Sequence, residues 1–241
     1  MTPPGIAVEN LALRYAGASV FENLSFQVAP GQFVVLLGPS GVGKSSLLRV
    51  IAGLESPAAG SVRASDGAKL AGRVAYMGQQ DLLFPWARVL DNVMLGARLR
   101  GEAPDPARAR ELLARVGLQG REGALPAELS GGMRQRAALA RTLYERRPIV
   151  LMDEPFSALD ALTRARIQDL AAELLAGSTT LLITHDPLEA CRLGHHLIVL
   201  SGQPARLGAP IAVPGTPPRA PDDAALLQTQ GRLLRLLSEM A

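Results

Sequence analysis

The stretch Gly38-Pro39-Ser40-Gly41-Val42-Gly43-Lys44-Ser45 decides the fold of this chain. It matches the pattern G-x-x-x-x-G-K-[ST] at every fixed position. The apolar run from Phe33 to Leu37 precedes it and is typical of a strand buried on both faces of a parallel sheet. Apolar residues at helical spacing follow it, namely Leu47, Leu48, Ile51 and Leu54. The order of strand, glycine loop and helix predicts a phosphate-binding loop in an α/β fold.

Each residue type in this loop has a physical use toward phosphate. Glycines let backbone N–H groups turn inward around phosphate oxygens, and the dipole of the following helix favours negative charge. Lys44 supplies a mobile cation, and the Ser45 hydroxyl is a suitable ligand for Mg²⁺. The alternative is a glycine-rich turn that binds nothing. The predicted nucleotide-binding residues of the loop are Gly38, Pro39, Ser40, Gly41, Val42, Gly43, Lys44, Ser45 and Ser46.

A second apolar run, Ile149 to Met152, ends in the two acids Asp153 and Glu154. Ligands of open α/β sheets bind beyond the carboxyl ends of the strands. We therefore expect Asp153 to hold Mg²⁺ through water, and Glu154 to orient or deprotonate an attacking water. Taken alone, the pair could also be solvated acids at the end of a strand.

The composition fits a globular chain. Its 241 residues, 48% hydrophobic and 20% charged, correspond to one large domain or one and a half, and they exclude disordered and fibrous classes. A net charge of +3 is weak support for nucleic-acid binding, and no such partner is expected. Cys191 is the single cysteine, so we expect a reducing compartment and no disulfides. Neither a signal peptide nor a transmembrane helix is expected.

Apolar periodicity predicts the remaining elements. The predicted strands are Ile6–Leu13, Leu24–Val28, Thr179–Ile183 and Leu197–Leu200. Helical patterns cover Leu90–Leu99, Pro106–Val116, Arg134–Tyr144, Arg164–Leu175 and Asp222–Met240. The proline-rich stretch 203–221 is expected to be irregular.

A third motif identifies a family. Leu129-Ser130-Gly131-Gly132-Met133-Arg134-Gln135-Arg136 resembles the signature motif of ATP-binding cassette (ABC) ATPases. Further matches follow the order of that family over about residues 5–205. They are an adenine-stacking aromatic at Tyr15, a Q-loop at Gln79, a D-loop at Ser157–Asp160 and a switch histidine at His185. Singly, a lone Tyr or His is more often a structural residue.

The resemblance implies an α/β fold, a P-loop NTPase ABC cassette with a mixed core sheet, an antiparallel β subdomain and a helical subdomain. It implies one ABC ATPase domain over residues 1–241. Residues 1–86 and 146–205 would form the core with the β subdomain, 87–145 the helical signature subdomain, and 206–241 a tail and helix.

The resemblance also implies the chemistry and its residues. The expected cofactors are ATP and Mg²⁺, with Ser45, Gln79 and Asp153 at the metal. The expected catalytic residues are Lys44, Gln79, Glu154 and His185. Two copies would face each other head to tail, so that the signature of each acts on the ATP of the other. The residues expected there are Ser130, Gly131, Gly132 and Gln135, with Asp160 coupling the two sites.

The bare cassette resembles a separate transporter subunit. This implies two transmembrane permease subunits, indirectly a periplasmic or lipid-anchored solute-binding protein, and a peripheral location on the cytoplasmic face of the inner (plasma) membrane. The stretch Gln79–Trp86 resembles importer ATPases, where Phe84-Pro85-Trp86 would receive a helix of the permease. The alternative for Trp86 is a core position. The register of the Q-loop is open because Gln80 follows Gln79.

The motifs resemble the group of nitrate, sulfonate, taurine and thiamine-precursor importers. The stretch from His185 to Ala190 and then Leu200 to Gly202 resembles pyrimidine (thiamine-precursor) importers most, and such a solute is the expectation. The alternatives are a sulfonate- or nitrate-type solute, an exporter subunit, a cassette that acts on DNA or ribosomes, and a degenerate cassette that binds ATP only as a structural prop.

Overall fold

Two β-sheets form the framework of the computed structural model, which describes residues 2–239. The first sheet is antiparallel, with strand order β2-β1-β4, and the second has the order β10-β8-β3-β7-β6-β5 with β9 beside β8. The strands are β1 (Ile6–Tyr15), β2 (Ala18–Val28), β3 (Phe33–Leu37), β4 (Ala59–Ala64), β5 (Val74–Met77), β6 (Ile149–Asp153), β7 (Thr179–Ile183), β8 (His196–Ser201), β9 (Arg206–Leu207) and β10 (Ile211–Ala212).

The helices cover the second sheet. They are α1 (Lys44–Ile51), α2 (Val89–Val93), α3 (Leu95–Leu99), α4 (Pro106–Arg115), α5 (Gly131–Tyr144), α6 (Ala161–Leu174), α7 (Pro187–Leu193) and α8 (Ala224–Glu239), with a 3₁₀ turn at Pro126–Glu128. Within residues 2–239, none of these helices combines the length and the apolar character that crossing a bilayer requires.

The central strands of the second sheet are parallel, and this aligns their carboxyl ends. β3 pairs with β7 and β8, and β6 pairs with β5 and β7, all in parallel register. β9 and β10 add antiparallel edges to β8. The predicted α/β cassette fold, with a mixed core sheet and an antiparallel sheet, is confirmed. The order β3-β7-β6 brings the glycine loop, His185 and the Asp153–Glu154 pair to one edge.

The strand period of two divides the core between the two faces of the sheet. Val34 and Leu36 pack in a cluster with β1, β2 and α1. Val35 and Leu37 pack in a second cluster with α2, α4, α5 and α7. Because both faces are covered, β3 is buried along its whole length, as its continuous apolar run predicts.

Helix starts differ from the periodicity where a polar cap acts. α5 begins at Gly131, three residues before the predicted start, because the Ser130 side chain accepts a hydrogen bond from the Met133 N–H. α6 begins at Ala161 because Asp160 accepts from the Thr163 N–H at 3.0 Å. The single helix predicted across Leu90–Leu99 is two short helices, with Met94 at the junction.

The chain contains elements that the pattern analysis did not predict, namely β4, β5, α7, β9 and β10. β9 and β10 lie in the stretch expected to be irregular, where pairing with β8 orders them. β4 is weakly apolar and is held as a strand by its pairing with β1. Met240, the predicted end of the last helix, lies outside the described residues, as do Met1 and Ala241.

Candidate functional site

The glycine loop is a tight surface turn closed by Lys44. The Lys44 Nζ donates to the carbonyl oxygens of Gly38 and Pro39, both at 2.8 Å. A Cβ on Gly38 would lie 2.1 Å from the Leu200 carbonyl oxygen, so a side chain has no room there. Burial lowers the pKa of Lys44, and the charges of Glu154 and Asp153 oppose that shift. The ammonium therefore stands between two carboxylates and the loop that the sequence predicts to surround phosphate.

Asp153 has the properties of a cation ligand. It is only 2% exposed, and its Oδ1 has no hydrogen-bond partner within residues 2–239. Burial raises its pKa, while a hydrogen bond from the Ser45 hydroxyl lowers it. A buried carboxylate oxygen without a donor is costly unless a cation or water meets it. One carboxylate beside one hydroxyl fits Mg²⁺, which keeps waters and takes other ligands from substrate phosphates.

The described residues contain no cluster of three or more His, Cys, Asp or Glu side chains that could hold a metal. A metal at Asp153 and Ser45 would therefore depend on the oxygens of a bound nucleotide to complete its ligands.

Glu154 and His185 form a pair at the carboxyl ends of β6 and β7. His185 Nδ1 lies 3.2 Å from Glu154 Oε1, with the imidazole largely exposed and the carboxylate mostly covered. Glu154 adopts a left-handed backbone conformation, φ 49°, and its N–H donates to the Ile183 carbonyl at 2.9 Å. Non-glycine residues in this conformation concentrate at functional sites. The carboxylate and the imidazole are thus held together next to the glycine loop.

Tyr15 closes the opposite side of the loop. It is the last residue of β1 and is 45% exposed. Its hydroxyl donates to Ser46 Oγ at 3.3 Å, which connects the antiparallel sheet to the start of α1. The ring is therefore tethered at its polar end and open to solvent, as a platform for a flat ligand would be.

The predicted signature residues lie at the start of α5. Ser130 caps the helix and is exposed together with Gly131. Gly132 packs so closely that a Cβ would lie 3.0 Å from the Ala158 carbonyl oxygen. Asp160 caps α6 in the same way and is also exposed. Two helix N-termini thus face solvent, and such ends favour anionic ligands.

Gln135 differs from its signature neighbours because it is buried. Its Nε2 donates to the Glu154 carbonyl at 2.9 Å and to Ser157 Oγ at 3.1 Å. Its Oε1 accepts from the Ala158 N–H at 2.8 Å. The sequence groups Gln135 with residues that face a partner's ATP, but in the structure its amide joins α5 to the segment that follows β6 in the same chain.

Gln79 lies two residues after the edge strand β5. Gln79 and Gln80 are both exposed and border an open cleft of about 410 Å³, together with Gly131 and Gln135. Within the described chain, Gln79 has no side-chain hydrogen bond. Gln79 follows the strand beside β6, which ends at Asp153, and both glutamines border the cleft at the start of the signature helix.

The loop after Gln79 is fixed on α5. Asp81 Oδ2 lies 3.1 Å from Arg134 Nε, and Arg141 donates to the Leu82 and Asp81 carbonyls at 2.8 and 2.6 Å. The buried Asn92 accepts from the Phe84 N–H at 2.7 Å and donates to the Ala87 carbonyl at 2.9 Å. These contacts give the loop one defined shape.

The fixed loop presents an aromatic pair to solvent. Trp86 is 75% exposed, and its ring centroid lies 5.1 Å from that of Phe84. The core alternative for Trp86 is thus excluded. Leu82 and Leu99 are also exposed and border one shallow cleft together. We call Leu82, Phe84, Trp86 and Leu99 the aromatic patch. Apolar residues exposed together in this way mark interaction sites.

Sequence reasoning did not find the side chains that shape this loop. In these contacts Asn92, Arg134 and Arg141 are 8 to 60 residues from their partners, so spacing alone does not connect them. One available signal was a polar Asn inside an apolar helical pattern, since such a residue needs partners when buried.

A cavity of about 590 Å³ lies at the other edge of the sheet. It is bordered by Arg73, Pro148 and Ser178, which precede β5, β6 and β7. Because ligands of open α/β sheets bind at the carboxyl ends of strands, we place the functional site at the glycine loop and not in this cavity.

Comparisons with known proteins identify the family of the chain. The family model described as "ABC transporter" matches residues 21–157. The aliphatic sulfonates import ATP-binding protein SsuB 1 of Rhodococcus jostii is 45% identical, over 95% of this chain and 92% of that protein. An uncharacterized ABC transporter ATP-binding protein of Haemophilus influenzae is 41% identical, over 96% and 98%. SsuB of Delftia acidovorans is 44% identical, over 92% and 90%.

Solved structures of ATP-binding cassettes also superpose on this chain. A dimeric ATP-binding cassette in a post-hydrolysis state, bound to ADP and phosphate, superposes with a TM-score of 0.78 at 29% identity, over 87% of this chain and 99% of that one. A dimeric bacterial ABC transporter cassette has the same TM-score and coverage at 30% identity.

Proposed function

Because this chain belongs to the ABC transporter family and is an ATPase, we propose that it is the ATP-hydrolysing subunit of an importer for aliphatic sulfonates. The observation that carries the proposal is the 40–45% identity, over nearly the whole chain, to several proteins named for aliphatic sulfonates import. These relatives favour the sulfonate alternative over the pyrimidine that the C-terminal stretch suggests.

The chemistry would take place at the glycine loop. ATP phosphates would lie on the N–H groups of Ser40 to Ser46, with Lys44 released from its two carbonyls to meet them. Tyr15 would stack on adenine. Ser45 and Asp153 would hold Mg²⁺, which supplies positive charge against the charge that develops on the phosphate oxygens.

Glu154 and His185 would act on the attacking water and the γ-phosphate. The Glu154 carboxylate is suited to orient the water and to accept its proton. His185, 3.2 Å away, would hold that carboxylate in place and contact the transferred phosphoryl group. The imidazole can turn toward the nucleotide because its side chain is largely exposed, whereas the Glu154 carboxylate is mostly covered.

A second copy of the chain would complete each site. Ser130, Gly131 and Gly132 of one copy would cap the γ-phosphate held by the other, because a helix N-terminus offers free N–H groups to phosphate. Asp160 would lie between the two sites. Such a two-fold arrangement is isologous and gives two equal sites. Two of the solved cassettes that superpose on this chain are dimers.

Gln135 and Gln79 take refined roles in this proposal. Gln135 would act inside its own chain, by fixing the segment from Glu154 to Ala158 against α5. Gln79 would sense the nucleotide from the hinge between β5 and the fixed loop, and would reach the metal only after the two copies close.

The aromatic patch would receive a helix of a permease subunit. Its loop runs from Gln79 to α2 and is fixed on α5, so that movement at the nucleotide side would be passed to Phe84 and Trp86. The chain would thus work peripherally on the cytoplasmic face of the membrane with two permease subunits, and indirectly with a solute-binding protein.

Deletion and complementation test this proposal. A strain without the chain should fail to grow on an alkanesulfonate as sole sulfur source and should grow normally on sulfate. The wild-type chain should restore growth, and Glu154→Gln should not. Normal growth of the deletion strain on alkanesulfonates, combined with failure of an external thiamine pyrimidine to rescue a thiamine-auxotrophic form of that strain, would favour the pyrimidine importer. Accumulation of a compound that wild-type cells expel would favour an exporter.

A further inference from the structure

A buried polar network joins α6 and α7 behind the candidate site. Gln168 Nε2 donates to Glu189 Oε2 at 3.1 Å, and Gln168 Oε1 accepts from Arg192 Nη1 at 2.6 Å. Arg192 Nη2 also binds Asp169 at 2.7 Å. Gln168, Glu189 and Arg192 are all at most 5% exposed. The two helices are therefore tied by directed contacts and not by apolar packing alone.

The network lies directly behind two predicted functional residues. Asp160 is the N-cap of α6, and α7 begins two residues after His185. A cavity of about 30 Å³ separates Glu189 from the Glu154–His185 pair, and all three residues border it. A space of this size accommodates about one water molecule. Glu189 is thus a buried carboxyl that borders the same small cavity as the proposed catalytic pair.

The burial of Glu189 has a cost in folding stability. It is 4% exposed, and its Oε1 has no hydrogen-bond partner within residues 2–239. Burial raises its pKa to about 7, and Asp186 adds to the rise, while Thr184, Gln168 and Arg164 oppose it. A buried polar group that is only partly satisfied costs stability. Packing alone would favour an apolar side chain there.

We propose that Glu189 and Gln168 are positioning residues that hold the loop of His185 in a fixed position relative to α6, whose N-cap is Asp160. A contact of Asp160 with a second copy would then be transmitted along α6 to the loop that faces the γ-phosphate. This inference rests on the roles proposed above for Asp160 and His185. The ionisable groups that face Glu189 or share its cavity are Glu154, Arg164, His185 and Asp186. Arg192, Asp169 and Arg219 belong to the same network through contacts made by Arg192.

Substitutions in the full-length chain separate positioning from folding. Glu189→Gln keeps the amide hydrogen bond to Gln168 and should retain kcat within about twofold. Glu189→Leu removes the hydrogen bond from Gln168 together with the unpaired oxygen. It should lower the kcat of ATP hydrolysis at least about tenfold with KM for ATP within about twofold, because only the chemical step is misaligned. Its Tm should stay equal to or above that of the wild type.

A double-mutant cycle tests whether the pair acts as one unit. Gln168→Leu should lower kcat as Glu189→Leu does, and the double variant should be no slower than either single variant. Glu173→Leu is the matched control, since Glu173 is an exposed glutamate of α6 whose contact is a surface pair with Arg115. It should leave kcat and KM unchanged.

Three outcomes would overturn the inference. They are an unchanged kcat in Glu189→Leu, an additive loss in the double variant, and a loss of kcat that follows a fall in Tm. His185→Ala, assayed in parallel, distinguishes failure of the proposed role of His185 from failure of the positioning role of Glu189. If His185→Ala hydrolyses ATP normally, the proposed role of His185 fails. If it is inactive while Glu189→Leu is normal, the positioning link alone fails.

Discussion

Single residues in this site are held by burial and by a small number of charged contacts. Lys44 is the clearest case, because it is buried and bonded to two loop carbonyls. Only one other lysine, Lys69, occurs in the chain, and it is exposed. The placement of an ammonium inside a glycine loop is therefore specific to this position.

Lys44→Ala should weaken ATP binding by about tenfold to a hundredfold, the scale of a charge-assisted hydrogen bond. Titration calorimetry with ATP would measure the change. Lys69→Ala provides the control, with an unchanged affinity. Equal affinities of the wild type and Lys44→Ala would show that the ammonium does not meet phosphate.

Glu189 gives a pH dependence of stability with a defined sign. The pKa of this carboxyl is about 7 in the folded chain, above its ordinary value of 4.5, so the folded state binds the proton more tightly than the unfolded state. Its contribution is complete below pH 4.5 and is lost as the pH rises through 7. The Glu189→Gln chain has no carboxyl to ionise at this position, so it does not lose this stability as the pH rises.

The gain in unfolding free energy from Glu189→Gln should therefore be larger at pH 8 than at pH 5, by on the order of 3 kcal/mol. Urea denaturation of both proteins at the two pH values would measure the difference. A difference that does not vary with pH would mean that the carboxyl is already ionised in the folded chain at pH 5.

The sequence predicted the residues of this site that belong to contiguous motifs, and not those defined by distant partners. The glycine loop and the Asp153–Glu154 pair are visible because their spacing itself has a physical meaning. The partner of Glu189 is Gln168, and the partners of Gln135 follow β6. Such pairs depend on which helices pack together, and periodicity does not contain that information.

At the scale of elements, the loop between β5 and α2 connects the nucleotide side to the aromatic patch. Arg141 and Asn92 fix its backbone from two sides. These contacts involve the backbone of Phe84 and do not involve the Phe84 and Trp86 rings. Their exposed rings are instead suited to be the buried anchors of an interface.

Replacing Phe84 and Trp86 together by Ala should abolish stable association with the permease subunits while basal ATP hydrolysis stays within about twofold. Co-purification of the complex from detergent would measure the first effect. Leu227→Ala, at an exposed Leu of α8, is the control and should assemble normally. Normal assembly of the double variant would place the permease contact elsewhere.

Elements with strong apolar runs were predictable, and those defined by pairing were not. β3, β6 and β7 follow their runs to within about one residue, as central parallel strands should. β4 contains Gly60 and weakly apolar neighbours, and β10 has two residues, so only their pairing with β1 and β8 orders them. The tail is held further by Arg219, which donates to the carbonyls of Cys191, Val213, Gly194 and Gly215.

At the scale of the whole molecule, the glycine loop and the predicted signature are two separate exposed surfaces of one chain, which the proposed dimer would join. The glycine loop lies at the carboxyl edge of the core sheet, while Ser130 lies at the start of α5. Two copies related by a two-fold axis would bring each glycine loop to the other copy's Ser130. In the proposed mechanism, ATP binding therefore joins two chains, and hydrolysis separates them.

The most direct measurement is the mass of Glu154→Gln in solution with and without ATP, by light scattering after size exclusion. This variant should bind ATP without hydrolysing it, and so should shift from one chain to two when ATP is added. Adding Ser130→Arg to the same variant should keep it a single chain with ATP bound. A Glu154→Gln chain that is saturated with ATP yet remains single, or that hydrolyses ATP at the wild-type rate, would contradict the account.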